Sequence, residues 1–269
     1  MSVPFYFAPK PRAHWHCAAL LLLVAVEAAA ARRELSTDRP DTTESPFTVD
    51  VGHWQIEMAL VSHTRNRLDG TRTRVWDVAP FNLRYGVQPN LEIGVFIPPY
   101  SRVTEEPRGG PRLTAAGFGD ITLRAKFNFA GNDGGSPAFG LIADLKLPTA
   151  KAGLGNGHAE GDLILPVAFE LPGGWELGAM TKADLRQRDS GGMHLVWVNT
   201  ATLGRKIFQN VSGYLELTSA TGEGSHVATF DFGVAWKLEA NTQLDAGAKL
   251  GVSRTADDGQ FFAGLSHRF

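Results

Sequence analysis

From about residue 52 to the end of the chain, apolar and polar side chains alternate with a period of two. This pattern limits the fold more than any other feature. The run 121–129 is the clearest: Ile121, Leu123, Ala125, Phe127 and Phe129 alternate with Thr122, Arg124, Lys126 and Asn128. Only an extended strand sends successive side chains to opposite faces, so the chain is expected to be all-β.

Twelve such runs can be counted. Trp54, Ile56, Met58 and Leu60 oppose Gln55 and Glu57; Ala79, Phe81, Leu83 and Tyr85 oppose Asp77, Asn82 and Arg84, with Pro80 intervening; Leu91, Ile93, Val95 and Ile97 oppose Glu92. After 121–129, Phe139, Leu141, Ala143, Leu145 and Leu147 oppose Asp144 and Lys146. Leu163, Leu165, Val167, Phe169 and Leu171 oppose Asp162 and Glu170, and Trp175, Leu177, Ala179, Ala183 and Leu185 oppose Glu176, Lys182, Asp184 and Arg186. The eighth run, 193–203, sets Val196 and Val198 against Asn199, yet Leu195 and Trp197 stand on the other face. Val211, Gly213, Leu215 and Leu217 oppose Tyr214 and Glu216; Ala228, Phe230, Phe232, Val234, Trp236 and Leu238 oppose Thr229, Asp231 and Lys237. Leu244, Ala246, Ala248, Leu250 and Val252 oppose Asp245 and Lys249, and the last run carries Phe261, Ala263, Leu265 and Phe269 on one face.

Alternation alone does not say which face meets solvent. A soluble sandwich or lipocalin turns its apolar face inward, whereas a membrane barrel turns it outward to lipid and keeps polar side chains in the lumen. Three features favour the membrane barrel. Most runs approach the roughly 9–11 residues that a tilted membrane strand needs. Aromatic residues gather at run ends, as at Trp54, Tyr85, Phe129, Trp175 and Trp236, where an interface favours them. The polar faces mix both signs, as in Asp144 with Lys146 and Lys182 with Asp184 and Arg186, which lipid would penalise by about 2–4 kcal/mol per mid-depth Arg or Lys. The connections also differ in length. Those at 87–90, 172–174 and 239–241 are tight, while 102–116, 148–160, 187–192, 219–226 and 253–259 read as longer polar loops. The expected fold is a transmembrane antiparallel up-and-down β-barrel of about twelve strands over 51–269.

Residues 1–31 read as a secretory signal peptide. Lys10 and Arg12 precede the apolar run 18–26, and Ala29 and Ala31 offer a small-residue cleavage site. Cys17, the only cysteine, would leave with it, so the exported chain has no thiol chemistry. Residues 32–50 are polar, contain prolines and show no period. They read equally as a disordered tail or as a plug inside the barrel. The near balance of 26 basic and 28 acidic residues argues against nucleic acid as a partner.

The segment Ser36-Thr37-Asp38-Arg39-Pro40-Asp41 with Glu44-Ser45-Pro46, followed by Gly52-His53-Trp54-Gln55-Ile56-Glu57, resembles the "Putative MetA-pathway of phenol degradation" family, and so does Lys146-Leu147-Pro148-Thr149 before a glycine-rich loop. The resemblance covers about residues 36–269. It implies an outer-membrane barrel with a transport role and no particular substrate. The chain end resembles the terminal strand that the barrel-assembly machinery reads in bacterial outer-membrane proteins, through Phe261, Leu265 and Phe269; His267 departs from that pattern.

No catalytic site is expected. Ser62-His63 and Ser266-His267 are adjacent, so in a strand their side chains face opposite ways and cannot pair as nucleophile and base. The histidines are scattered without ligand spacing, and the loop 153–157 lacks the Gly-Lys-Ser/Thr ending of a phosphate loop. No metal or cofactor is expected. The candidate functional residues are those turned to the lumen: Glu57, Arg84, Glu92, Arg124, Lys126, Asp144, Lys146, Asp162, Lys182, Asp184, Arg186, Glu216, Asp231, Lys237, Asp245 and Lys249. They would line a narrow channel for passive uptake of small molecules, hydrophobic or aromatic compounds among them, in the bacterial outer membrane. The alternative is a structural or adhesion barrel whose salt-bridged lumen is closed.

Overall fold

A computed structural model describes residues 32–188 and 190–269. The expected signal peptide and Cys17 lie outside the described residues. The wall begins with β1 (Trp54–Leu68), β2 (Thr71–Val78), β3 (Phe81–Gln88), β4 (Leu91–Ile97), β5 (Tyr100–Pro107) and β6 (Leu113–Gly117). It continues with β7 (Ile121–Ala130), β8 (Ala138–Leu147), β9 (Glu160–Leu171), β10 (Trp175–Gln187), β11 (Met193–Phe208) and β12 (Val211–Gly222), and ends with β13 (Ser225–Glu239), β14 (Thr242–Gly251) and β15 (Gly259–Arg268).

These segments occupy twelve positions in one antiparallel wall. From β7 to β15 each strand pairs with the next; β7 pairs with β4, β4 with β3, β3 with β1, and β15 closes the ring on β1. The other three segments extend this wall. β2 runs into β3 across Ala79 and Pro80, β5 continues β4 across Pro98 and Pro99, and β6 leads into β7 through residues 118–120. Proline has no N–H to give to a ladder, so three of the four residues at the first two breaks cannot donate across the sheet. β1 absorbs the same level with a bulge between Ala59 and Val61, which leaves both Leu60 and Val61 facing outward and exposed.

Above the breaks, β1, β2, β5 and β6 pair with one another as a polar extension. The expected loop 102–116 is therefore mostly strand. Its residues read as loop because both faces are polar, and they are held by backbone pairing and by ion pairs such as Arg74–Glu106 at 2.5 Å. The expected loop 219–226 is also corrected: β12 and β13 meet at a turn of Glu223 and Gly224, with φ of 49° and 75°. Asp69 and Gly70 join β1 to β2 in the same left-handed conformation, the backbone that a two-residue hairpin needs to match strand twist. On the tight-turn rim, the connection 131–137 between β7 and β8 is longer than the turn 172–174.

The apolar faces point outward. Leu123, Leu145, Leu163, Leu165, Leu215, Leu217 and Val234 are exposed, while Glu92, Lys126 and Asp231 are wholly buried. This inverts a soluble protein and matches a wall facing lipid. Trp54, Phe129, Trp236 and Phe269 mark the tight-turn side of this belt; Trp76, Trp197 and Phe261 mark the loop side. Along β11, Trp197 and Phe208 are separated by a rise of about 25 Å at the strand tilt usual for such barrels, the height of a membrane's apolar band. The eighth run is corrected in its facing: Leu195 and Trp197 are exposed and Val196 is buried. Register decides this. Val196 lies beside Asp184 and Val198 beside Lys182, both inward positions.

Candidate functional site

Residues 33–50 have no regular strand structure, yet they are bound inside the barrel by side chains from all around the wall. Near the tight-turn rim, Asp50 joins Arg33 (2.6 Å) to Arg268 of β15 (2.9 Å). The Val49 amide donates to Glu92 Oε2 at 2.7 Å. Two close approaches to the wall depend on missing side chains. A Cβ on Gly86 would stand 2.5 Å from the Val49 carbonyl oxygen, and one on Gly264 would stand 2.5 Å from Arg39 Cζ.

The densest contacts surround Asp38. Arg84 is 1% exposed at its side chain; its Nε donates to Glu92 Oε1 at 2.8 Å, its Nη1 pairs with Glu57, and Asp38 Oδ2 lies 3.2 Å from Nη1. Lys126 Nζ reaches Asp38 Oδ1 at 2.6 Å. Arg124 donates to both oxygens of Glu44 at 2.7 Å and to Asp144 at 2.8 and 2.7 Å. Burial works against charge on Asp38, but Arg84, Lys126 and Arg124 outweigh it and hold this carboxyl well below the usual range.

Strand register builds this pattern. Glu92 is directly opposite Lys126, and Arg124 is directly opposite Asp144. Opposite charges in such positions attract and like charges repel. Asp144, Asp162 and Asp184 are mutually opposed across β8, β9 and β10, a repulsive row held by Arg124, by Lys182 at 3.2 Å from Asp162, and by Arg186 at 2.7 Å from Asp184. Glu216 and Asp231 are likewise opposed. There the thread supplies donors: the amides of Thr42 and Thr43 bond Glu216 at 2.8 and 2.7 Å, and the Thr42 hydroxyl bonds Asp231. Lys249 lies 3.4 Å from Asp231 and bonds Thr42. Arg39 makes a two-pronged pair with Asp245 at 2.6 and 3.1 Å. Asp41 has its carboxyl pushed up to about 8, by burial first and by the Glu216 charge second.

Above the thread lies a cavity of about 800 Å³, with residues 38–41 and Glu44 among its lining. Arg124, Asp144, Lys146, Asp162, Lys182, Asp184, Arg186 and Lys249 line it too. Nine acidic and six cationic side chains face this space, and with the Asp41 carboxyl pushed up to about 8 the remaining acids still outnumber the cations, so the field favours cations over anions. Of the sequence candidates, Glu57, Arg84, Glu92, Lys126, Asp184, Glu216, Asp231 and Asp245 are buried. Lys237 is set apart near the tight-turn rim and pairs with Glu34 at 2.6 Å. Glu170, placed inward by alternation, is exposed. Phe261 and Phe269 are exposed and Leu265 is half-buried; the Phe269 amide donates to the Trp54 carbonyl at 2.9 Å.

Sequence reasoning missed two sets of residues. Asp38, Arg39, Glu44 and Asp50 supply the thread's side of the ion pairs, and the only signal for them was the motif around Asp38. Ile142, Ile164 and Met180 form a small apolar cluster on inward positions that read as gaps in the polar face. Ser62 is buried while His63 stacks on Trp76 at a centroid distance of 4.0 Å, so this adjacent pair is divided between the two faces of the wall.

The model of the family described as "Putative MetA-pathway of phenol degradation" matches residues 37–269. No curated protein matches the chain. Among solved structures, the COG4313 outer membrane channel from Pseudomonas putida F1 is similar with a TM-score of 0.64, at 14% identity over 87% of this chain and 100% of that one. The β domain of the Bordetella autotransporter BrkA gives 0.54, at 15% identity over 82% of this chain and 100% of its own. The translocator domain of NalP from Neisseria meningitidis gives 0.52, at 11% identity over 82% and 89%. At these identities the likeness concerns the fold, which is that of bacterial outer-membrane barrels.

Proposed function

The chain belongs to the "Putative MetA-pathway of phenol degradation" family, and on that premise we propose that it is an outer-membrane channel for passive uptake of small molecules, hydrophobic or aromatic compounds among them. The observation that carries this reading is the polar cavity of about 800 Å³ inside a closed wall whose outside is apolar. A wall serving only as an anchor has no need of an internal space lined by charges that must be solvated or paired. Residues 33–50 act as a constriction: a solute passes beside this thread, and the charges that hold it select by size and sign. Export and removal of residues 1–31 deliver the chain to the outer membrane, and the strand ending in Phe269 presents it to the assembly machinery.

Reconstitution of the purified protein in planar bilayers tests the proposal. The expected result is discrete conductance steps with a reversal potential that favours potassium over chloride, following the excess of carboxylates. Silence across many verified insertions overturns it. The second reading, a structural or adhesion barrel, is favoured by the number of wall residues that the thread occupies. It predicts that silence, with loss of phenotype on changing loop 148–159.

A further inference from the structure

On the loop side, the outer face of the wall changes character over the sector formed by β1, β2 and β5. Register sets its side chains in rows. Val61, Val78 and Tyr100 are opposed across the three strands, and all three are exposed at the top of the apolar belt. His63, Trp76 and Arg102 form the next row, which Phe261 of β15 extends. In the row above, Arg65 is directly opposite Arg74, and in the row above that Arg67 is directly opposite Arg72. Each row stands about 5 Å above the last at the tilt usual for such barrels. The headgroup layer of a bilayer is about 5–8 Å deep, so the arginine rows begin inside it.

Like charges directly opposite one another repel, and here two such pairs follow in succession. Glu106, opposite Arg72, is the carboxylate on this face, and it is shared by Arg74 at 2.5 Å, Arg112 at 3.7 Å and Arg72 at 3.9 Å. Arg65, Arg67 and Arg102 are exposed, and among the described residues no carboxylate pairs with them. A face that served only to keep the extension in water would mix both signs. Elsewhere the outer rows near the loop side carry no such charge: Leu185 is opposite Leu195, and Trp197 is opposite Thr221.

We propose that the outer face of β1, β2 and β5 binds the phosphomonoester of a lipid headgroup in the leaflet on the loop side. The phosphate lies among Arg65, Arg74 and Arg102, and the acyl chains run down over Val61 and Val78. The planar fork of a guanidinium bonds two phosphate oxygens at once, and an anion placed between opposed arginines turns their repulsion into attraction. A phosphate free in solution would gain the same charge contacts and none of the apolar ones, so the site's continuity with the apolar belt selects a lipid. The site is outside the wall and is the same whether or not the lumen conducts.

The test uses the full chain folded in neutral-detergent micelles, titrated with diphosphoryl lipid A, with bound copies counted by native mass spectrometry. One saturable copy is expected ahead of weaker ones. Arg65→Gln combined with Arg74→Gln weakens it by about 25-fold and Arg102→Gln by about fivefold, at about fivefold for each basic side chain lost beside an anionic lipid surface. Phosphatidylglycerol, a diester with a single charge, binds the wild type more weakly than lipid A does. Arg188→Gln, which removes a loop-side arginine paired with Glu223 on the other side of the ring, changes nothing. Each variant is first checked for the heat-dependent gel shift of a folded barrel, and Arg102→Gln alone decides should the double variant fail to fold. Equal lipid A binding by the wild type and the arginine variants overturns the site. Displacement of lipid A by an equal concentration of inorganic phosphate overturns it too, and assigns the face to a soluble anion.

Discussion

Gly264→Ala isolates the hold of the wall on the thread. Gly264 is directly opposite Asp245 in the β14–β15 ladder, and the Arg39 guanidinium lies over it to reach that carboxylate. An alanine Cβ would come to 2.5 Å from Arg39 Cζ and 2.6 Å from Nε, so Arg39 must withdraw. The Asp245 side chain is fully buried, and the two-pronged pair with Arg39 is what compensates its charge. Breaking a buried pair and leaving one charge behind costs about 3–5 kcal/mol. Arg39 is flexible and can keep part of the contact, which favours the lower figure. A loss of about 3 kcal/mol is roughly a 150-fold change in the local opening equilibrium. Hydrogen exchange in nanodiscs reads it directly: the amides of Thr42 and Thr43, bonded to Glu216, should lose protection by about that factor, while the Val49 amide, bonded to Glu92, keeps its own. Gly204→Ala is the control, since a Cβ there meets nothing closer than 3.8 Å. Unchanged protection at Thr42 and Thr43 in Gly264→Ala would refute the claim that this pair seats the thread.

Arg84→Met leaves Glu57 and Glu92 without their shared cation and should lower barrel stability by about 3–5 kcal/mol, seen as an earlier urea transition in lipid vesicles. Leu165 is 50% exposed on the lipid side of β9; Leu165→Arg should cost about 2–4 kcal/mol in the same assay, and no change would contradict the orientation of the wall. The Asp41 carboxyl, pushed up to about 8 in the folded chain, binds a proton there that it has released in the unfolded chain. Its contribution is therefore fully present below the ordinary aspartate range, falls as pH rises toward 8, and is flat above. Protection of the Thr42 and Thr43 amides should decline over that window in the wild type and not in Asp41→Asn.

The lipid-facing strands were legible because a membrane wall needs unbroken alternation, and β7 keeps it for its whole length. β11 was misread because apolar residues stand on both faces; the sign comes only from its register with β10, which sequence does not display. The polar extension β5 and β6 escaped notice for the opposite reason: with water on both sides it needs no apolar face. The lumen candidates were readable by elimination, as charges that cannot face lipid. The thread was not, because its order comes from partners such as Asp245, 206 residues away, and no local pattern records a contact of that kind.

The thread is tied at once to β1, β3, β7, β12, β14 and β15, which lie on different sides of the ring. A strap fastened to opposite sides of a hoop fixes its diameter. It also shares out the buried charge: Glu57 and Glu92 of the wall already face Arg84, Glu92 lies 3.9 Å from Lys126, and Asp38 of the strap adds one more carboxylate between the two cations. The width of the hoop and the charge balance of its interior are thus held by the same short segment.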